Sequence, residues 1–279
     1  MKRKKSRPSK QELKTYNKLR NYGLKINPIT PDNHIFGSGA VPFEIIRPDG
    51  DWTNSLVQKE FQNLNQIEPY ACVAFTILNC VEILIKEKYG EERNYSDRFL
   101  AAVSGTKEGG NDPHIVCEFL RKVGVVLQEI WPFDETITTF EKFYEPLPPK
   151  LYELAQEFKK EWEFLHDYVP SNHEAISKAL QSSPLMISVA AWFENERGQF
   201  YRPAGYRDNH ATTHFKENKD IYMRVFDSYD YPYIKDIDWG ALPMAVKRFW
   251  VKKKIKEQKL SWFTRLKNSI KNWWRQIWE

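Results

Sequence analysis

The longest apolar run of the chain is Ala71–Lys88 (ACVAFTILNCVEILIKEK), almost continuously apolar before its charged end. It is too long for a strand and follows a turn at Pro69, so it predicts a buried helix. Three further helices are predicted over 113–123, over 148–166 after Pro148-Pro149, and over 171–182. The last carries Ser171 as cap and Glu174 three residues on, the signature of a capping box. Beyond residue 184 the pattern changes. Leu185–Phe193, His210–Phe215 and Ile221–Phe226 are short runs rich in Val, Ile and aromatics, which read as strands. Pro232–Pro243 reads as a loop. Residues 25–60 are loop-rich, punctuated by Pro28, Pro31, Gly37, Gly39, Pro42, Pro48 and Gly50. Helices first and strands second predict an α+β fold.

Composition adds bounds. A chain of 279 residues with 15% aromatic side chains has ample material for a core. Its net charge of +5 divides unevenly: residues 11–246 carry 25 basic and 35 acidic side chains, a net of −10. An acidic body with basic ends argues against a nucleic-acid-binding body, and leaves non-specific contact through the ends. Three cysteines make a disulfide framework unexpected, and a reducing, cytoplasmic setting fits them. The basic start runs into polar sequence with no apolar stretch, so no secretory signal is read there. No His/Cys spacing matches a zinc pattern, and no cofactor is implied.

Residues 260–279 (LSWFTRLKNSIKNWWRQIWE) have a character of their own. At 100° per residue, Trp262, Phe263, Leu266, Ile270, Trp273, Trp274, Ile277 and Trp278 share one arc, with the basic and amide side chains outside it except Lys267 near its edge. A Trp-rich apolar face opposite a basic face suits a membrane surface, or docking on the body or on a partner protein. The expected organisation is a basic N-terminal extension over 1–45, a body over 46–246 and a basic amphipathic segment over 247–279.

The candidate chemistry centres on Cys72, which opens the long buried helix. A helix N-terminus and a neighbouring imidazolium both favour the thiolate. Gln66, six residues earlier, could bind an oxyanion together with the Cys72 N–H. Two histidines, His210 and His214, compete as base. They lie on one strand with side chains on the same face, so only one can serve Cys72. Asn209 before and Ala211 after favour His210. Cys80 and Cys117, and His34, His114, His166 and His173, read as ordinary core or surface residues.

In order along the chain, several segments resemble the papain-like cysteine peptidases. Gln66–Phe75 (QIEPYACVAF) is similar to that family's Gln, five residues, Cys, apolar, Ala, Phe pattern. Asp51-Trp52 upstream, and Gly109-Gly110 with Pro113 and Cys117–Phe133, Pro184–Ala190, Asn209-His210-Ala211 and Val225–Tyr229 downstream, keep the family's order over about 180 residues. The resemblance implies two lobes, one helical around the nucleophile-bearing helix and one antiparallel and strand-rich, with an extended polypeptide substrate between them. It further implies Cys72 as nucleophile, His210 as base, Asp227 as orienter and Gln66 in the oxyanion hole. Gly109 and Gly110 would meet the substrate backbone, Ala190 and Asn209 would line the specificity wall, and Tyr229 would shield the Asp227–His210 hydrogen bond. Asp227 stands where the family usually has Asn, and Tyr70-Ala71-Cys72-Val73 replaces its G-S-C-W. A full-length inhibitory propeptide does not fit before Asp51. The implied activity is peptide hydrolysis through a thioester. The alternatives are amide transfer or deamidation by the same triad, and a papain-fold binding protein without activity.

Overall fold

The computed structural model describes residues 22–218, 222–229 and 233–254, with the side chain of Gln66 outside the description. Six α-helices are present among them: α1 (Cys72–Tyr89), α2 (Asp97–Val103), α3 (Pro113–Lys122), α4 (Phe140–Phe143), α5 (Pro149–Glu161) and α6 (His173–Leu180). Eight strands form one sheet: β1 (Trp162–Tyr168), β2 (Leu185–Val189), β3 (Phe193–Glu194), β4 (Phe200–Tyr201), β5 (His210–Asn218), β6 (Tyr222–Phe226), β7 (Ile234–Asp238) and β8 (Val246–Lys253). Their spatial order is β1-β8-β2-β5-β6-β7-β4-β3, and β4–β7 is the parallel pair.

The predicted central helix is present and buried from Cys72 to Ile85. Its all-round apolarity is explained by what surrounds it, since α2, α3, β5 and β8 all pack on it. Gly90 ends it in the left-handed conformation, with its N–H on the Lys86 carbonyl. Residues 210–215 of β5 are buried without alternation, because α1 and α6 both lie against this strand.

The structure corrects the sequence reading in several places. The helix expected to run to His166 ends at Glu161, and Trp162–Tyr168 pairs antiparallel with β8 instead. Asn172, not Ser171, caps α6: its Oδ1 accepts from the Ala175 N–H at 2.9 Å, and the Ser171 hydroxyl donates to the Pro243 carbonyl. The loop expected over 232–243 contains β7. The boundary expected at residue 247 falls inside β8, which pairs on both sides, so the body extends to Lys253. The charge pattern concealed this strand. Arg248 is buried in a two-pronged pair with Asp167 (2.9 and 2.6 Å), and Lys247 donates to Nδ1 of His166 at 3.0 Å. Basic residues that read as a solvated arm are core residues with partners on the neighbouring strand.

The N-terminal extension is likewise part of the body from Tyr22 onward. Leu24 bridges Asn111, and Ile35 bridges Tyr168 at the end of β1. No described helix is long and apolar enough to cross a membrane. The amphipathic segment 260–279 lies outside the described residues.

Candidate active site

Cys72 is the first residue of α1, after a turn in which Tyr70 holds a positive φ of 54°. Its backbone N–H lies in the first turn of α1, where the helix supplies no acceptor. The backbone of Gln66 closes a 3-10 turn six residues upstream. The sheet brings the downstream candidates to the same place. His210 starts β5, opposite Val189 of β2, and the Asn209 side chain beside it accepts from the Ala191 N–H at 2.9 Å. Asp227 follows β6, and its Oδ1 lies 2.7 Å from Nε2 of His210. With Asp227 ionised, Nε2 is the protonated nitrogen and Nδ1 carries the lone pair. Nδ1 is buried and has no hydrogen-bond partner, so in this state the thiol and the ring are not bonded.

His214, the rival base, is placed elsewhere. Its Nε2 donates to the Lys216 carbonyl at 3.0 Å, its ring faces Trp239, and burial pushes its pKa down to about 3. Among the other histidines, His166 bonds Glu118 and Lys247, and burial pushes it down to about 4. The three cysteines are free and buried. Burial drives Cys117 up to about 12, consistent with a core thiol. Among the described residues no group of three or more His, Cys, Asp or Glu is placed to hold a metal.

Burial also pushes the Cys72 thiol well above its usual range, and the charges of Glu68 and Asp227 add to this. The N–H groups of Ala211 and Val73 work in the opposite direction without offsetting it. Part of the cover comes from the chain's own N-terminal segment. The Tyr22 ring packs on His210 (5.3 Å between centroids) and on Tyr229 (5.2 Å). Gly23 accepts from the Asn111 N–H at 3.0 Å, and Lys25 donates to the Asn111 carbonyl at 3.0 Å. Residues 22–25 thus lie beside Gly110 and Asn111, where the resemblance would place an extended polypeptide.

The glycines are explained by this contact. A Cβ on Gly110 would stand 1.8 Å from the Gly23 carbonyl oxygen, so residue 110 must lack a side chain for a backbone to lie here. Asn111 rather than Gly110 makes the backbone hydrogen bonds to this segment, and the Gly110 N–H is committed to the Lys107 carbonyl. Gly109 holds a φ of +87° in the same turn.

Three residues around the site, Tyr22, Trp192 and Lys235, carried no sequence signal. Tyr22, Trp192 and Tyr229 enclose His210, each with ring centroids about 5.2–5.4 Å away. Lys235, from β7, places its ammonium 2.5 Å from Oδ2 of Asp227 and 4.6 Å over the Trp192 ring. Tyr229 also donates its hydroxyl to Glu68 at 2.5 Å, which ties the His210 side of the cleft to the turn before Cys72. Ala190 lines a small recess with Trp192, Phe200 and Arg202 beside this enclosure.

No family model matches the chain, and no curated protein matches it by sequence. Solved structures do. Xylellain, a cysteine protease from Xylella fastidiosa, aligns with a TM-score of 0.59 at 15% identity, over 85% of this chain and 97% of that one. Digestive procathepsin L 3 of Tenebrio molitor larval midgut aligns at 0.56 and 15%, over 86% and 78%. The bromelain protease from Ananas comosus, in complex with the E64 inhibitor, aligns at 0.52 and 18%, over 74% and 98%. The fold of this chain is papain-like.

Proposed function

We propose that, on this papain-like fold, the chain is a cysteine peptidase acting through a thioester. The observation that carries the reading is the convergence of Cys72 at a helix N-terminus with a His210–Asp227 pair whose free ring nitrogen is left without a partner. In the reaction, Nδ1 of His210 takes the Cys72 proton and the sulfur attacks the substrate carbonyl carbon. The Cys72 N–H and Gln66 stabilise the oxyanion. The amine then leaves with the proton from His210. Water, deprotonated by the same ring, attacks the thioester and releases the acid and the thiol.

The cover over the site bears on this reading. Substrate backbone and residues 22–25 compete for Asn111, so turnover requires that segment to leave. Its departure also relieves the burial that now opposes the thiolate. The Cys72→Ala variant is expected to lose both peptide hydrolysis and labelling by an epoxide probe. Activity or label persisting in that variant would remove the assignment.

A second reading has its own support. Cys72 is completely buried, its thiol is pushed upward and the Tyr22 ring packs on the candidate base. These features suit a papain-fold binding protein without activity. Transfer of the acyl group to an added amine would instead indicate an amide transferase using the same three residues.

A further inference from the structure

Asp227 stands where the resemblance expects an amide, and the structure surrounds that carboxylate unusually. Oδ1 faces His210 and Oδ2 faces the Lys235 ammonium, both within hydrogen-bond distance, and Asp227 is 1% exposed. Lys235 is delivered by register. Val225 of β6 pairs with Lys235 of β7, and the Asp227 N–H donates to the Tyr233 carbonyl, which brings the base of the lysine beside the carboxyl. Lys235 is 5% exposed and its head lies over the Trp192 ring, which also packs on His210. Among the described residues, the charged and titratable groups facing this cluster are Cys72 and Glu68 from the α1 side, Tyr22 from the N-terminal segment, and Tyr229 beside Asp227.

The chemistry explains why such a lysine is needed. A bare carboxylate beside the ring favours the imidazolium, which holds its proton too tightly to give it to a leaving amine. Its charge also opposes ionisation of the nearby thiol. An amide orients the ring with neither effect. A carboxylate with a cation on its far oxygen moves toward the amide's behaviour while keeping the stronger hydrogen bond. Although burial raises the Asp227 carboxyl, the Lys235 charge and the hydrogen bonds from His210 and Lys235 lower it, and the group stays ionised.

We propose that Lys235 is a positioning residue, which fixes the Asp227 carboxylate on His210 and offsets its charge at the ring and at the sulfur. This rests on the reading of Cys72 and His210 as a catalytic pair. It adds to that reading a fourth member, specific to a chain that uses Asp at this position.

The test is a titration of the His210 ring by NMR in the full chain labelled at histidine, with melting temperature recorded alongside. Lys235→Met keeps the stem and removes the charge. It is expected to raise the His210 pKa by about one unit, a tenfold tighter hold on the proton. Lys235→Arg is expected to leave it near the wild-type value. Asp227→Asn alone strands the ammonium and is expected to lower the melting temperature. Adding Lys235→Met to it is expected to restore both that temperature and a near-wild-type titration, and this comparison decides the matter should Lys235→Met alone fail to fold. A Lys235→Met chain that melts lower but titrates unchanged would overturn the proposal, leaving a structural ion pair. So would a double variant that recovers neither property. His210→Ala separates the two readings through iodoacetamide labelling of Cys72 in opened molecules. A catalytic pair requires that variant to lose the labelling seen below the ordinary thiol pKa, so unchanged labelling there defeats the catalytic reading, whereas lost labelling there with an unshifted His210 titration in Lys235→Met defeats the role of Lys235 alone.

Discussion

At the scale of single residues, what the sequence revealed and what it withheld differ by mechanism. Cys72, His210 and Asp227 were legible because each sits beside local neighbours of recognisable type and the order along the chain is kept. Lys235, Trp192 and Tyr22 were not, because a lysine in a strand and an aromatic in a loop have no pattern until the β6–β7 register and the path of the N-terminal segment are known. Buried carboxyls were equally invisible. Glu82 lies inside α1 and accepts from the Tyr95 N–H at 2.7 Å. Burial, with the charge of Glu60 adding to it, raises its pKa well above the ordinary value, and Asp97 nearby is raised for the same reasons. A raised folded-state pKa means that this contribution is fully present below the unfolded pKa and is lost as pH rises through the folded one. Glu82→Gln keeps the acceptor and removes the ionisation. Its melting temperature, followed by circular dichroism, is expected to fall less than the wild-type value between about pH 5 and pH 8, by roughly 2–4 °C per kcal/mol relieved. Parallel curves for the two proteins would show that Glu82 does not titrate in this range.

At the scale of elements, the sequence pattern located α1, α3 and α6 because apolar periodicity and caps are local properties. It missed β1 and β8 because their evidence is mutual. Lys247 and Arg248 read as solvent-facing until His166 and Asp167 supply their partners. It also missed the role of residues 22–25, since a groove and its occupant are separated by some 85 residues of chain. Gly23 is the point where this contact is most constrained. Its φ is +100°, and a Cβ there would stand 2.3 Å from the Tyr70 carbonyl oxygen. Gly23→Ala is therefore expected to destabilise the docked segment by about 1–3 kcal/mol. Each 1.4 kcal/mol shifts the opening equilibrium about tenfold, and iodoacetamide labelling of Cys72 is expected to accelerate accordingly. An unchanged labelling rate would mean that the segment does not gate the thiol.

At the scale of the whole molecule, charge separates an acidic body from basic ends, but β8 moves part of that basic charge into the core. What remains is the segment beyond Lys254, with its Trp-rich face. The full chain is expected to co-sediment with anionic vesicles more strongly than a chain ending at Lys254, and salt should weaken the difference. Equal sedimentation of the two would remove the membrane reading and favour docking on protein.

The central claim is that His210 ionises Cys72 once the groove is open, and the pH profile of Cys72 alkylation tests it most directly. Iodoacetamide reaches the sulfur only in opened molecules, where the burial seen in the closed state is relieved. The full chain is expected to show a thiolate plateau extending well below the ordinary thiol pKa of about 8.5, and His210→Ala is expected to abolish it. A rate that rises only above that value, and does so identically in His210→Ala, would contradict the account.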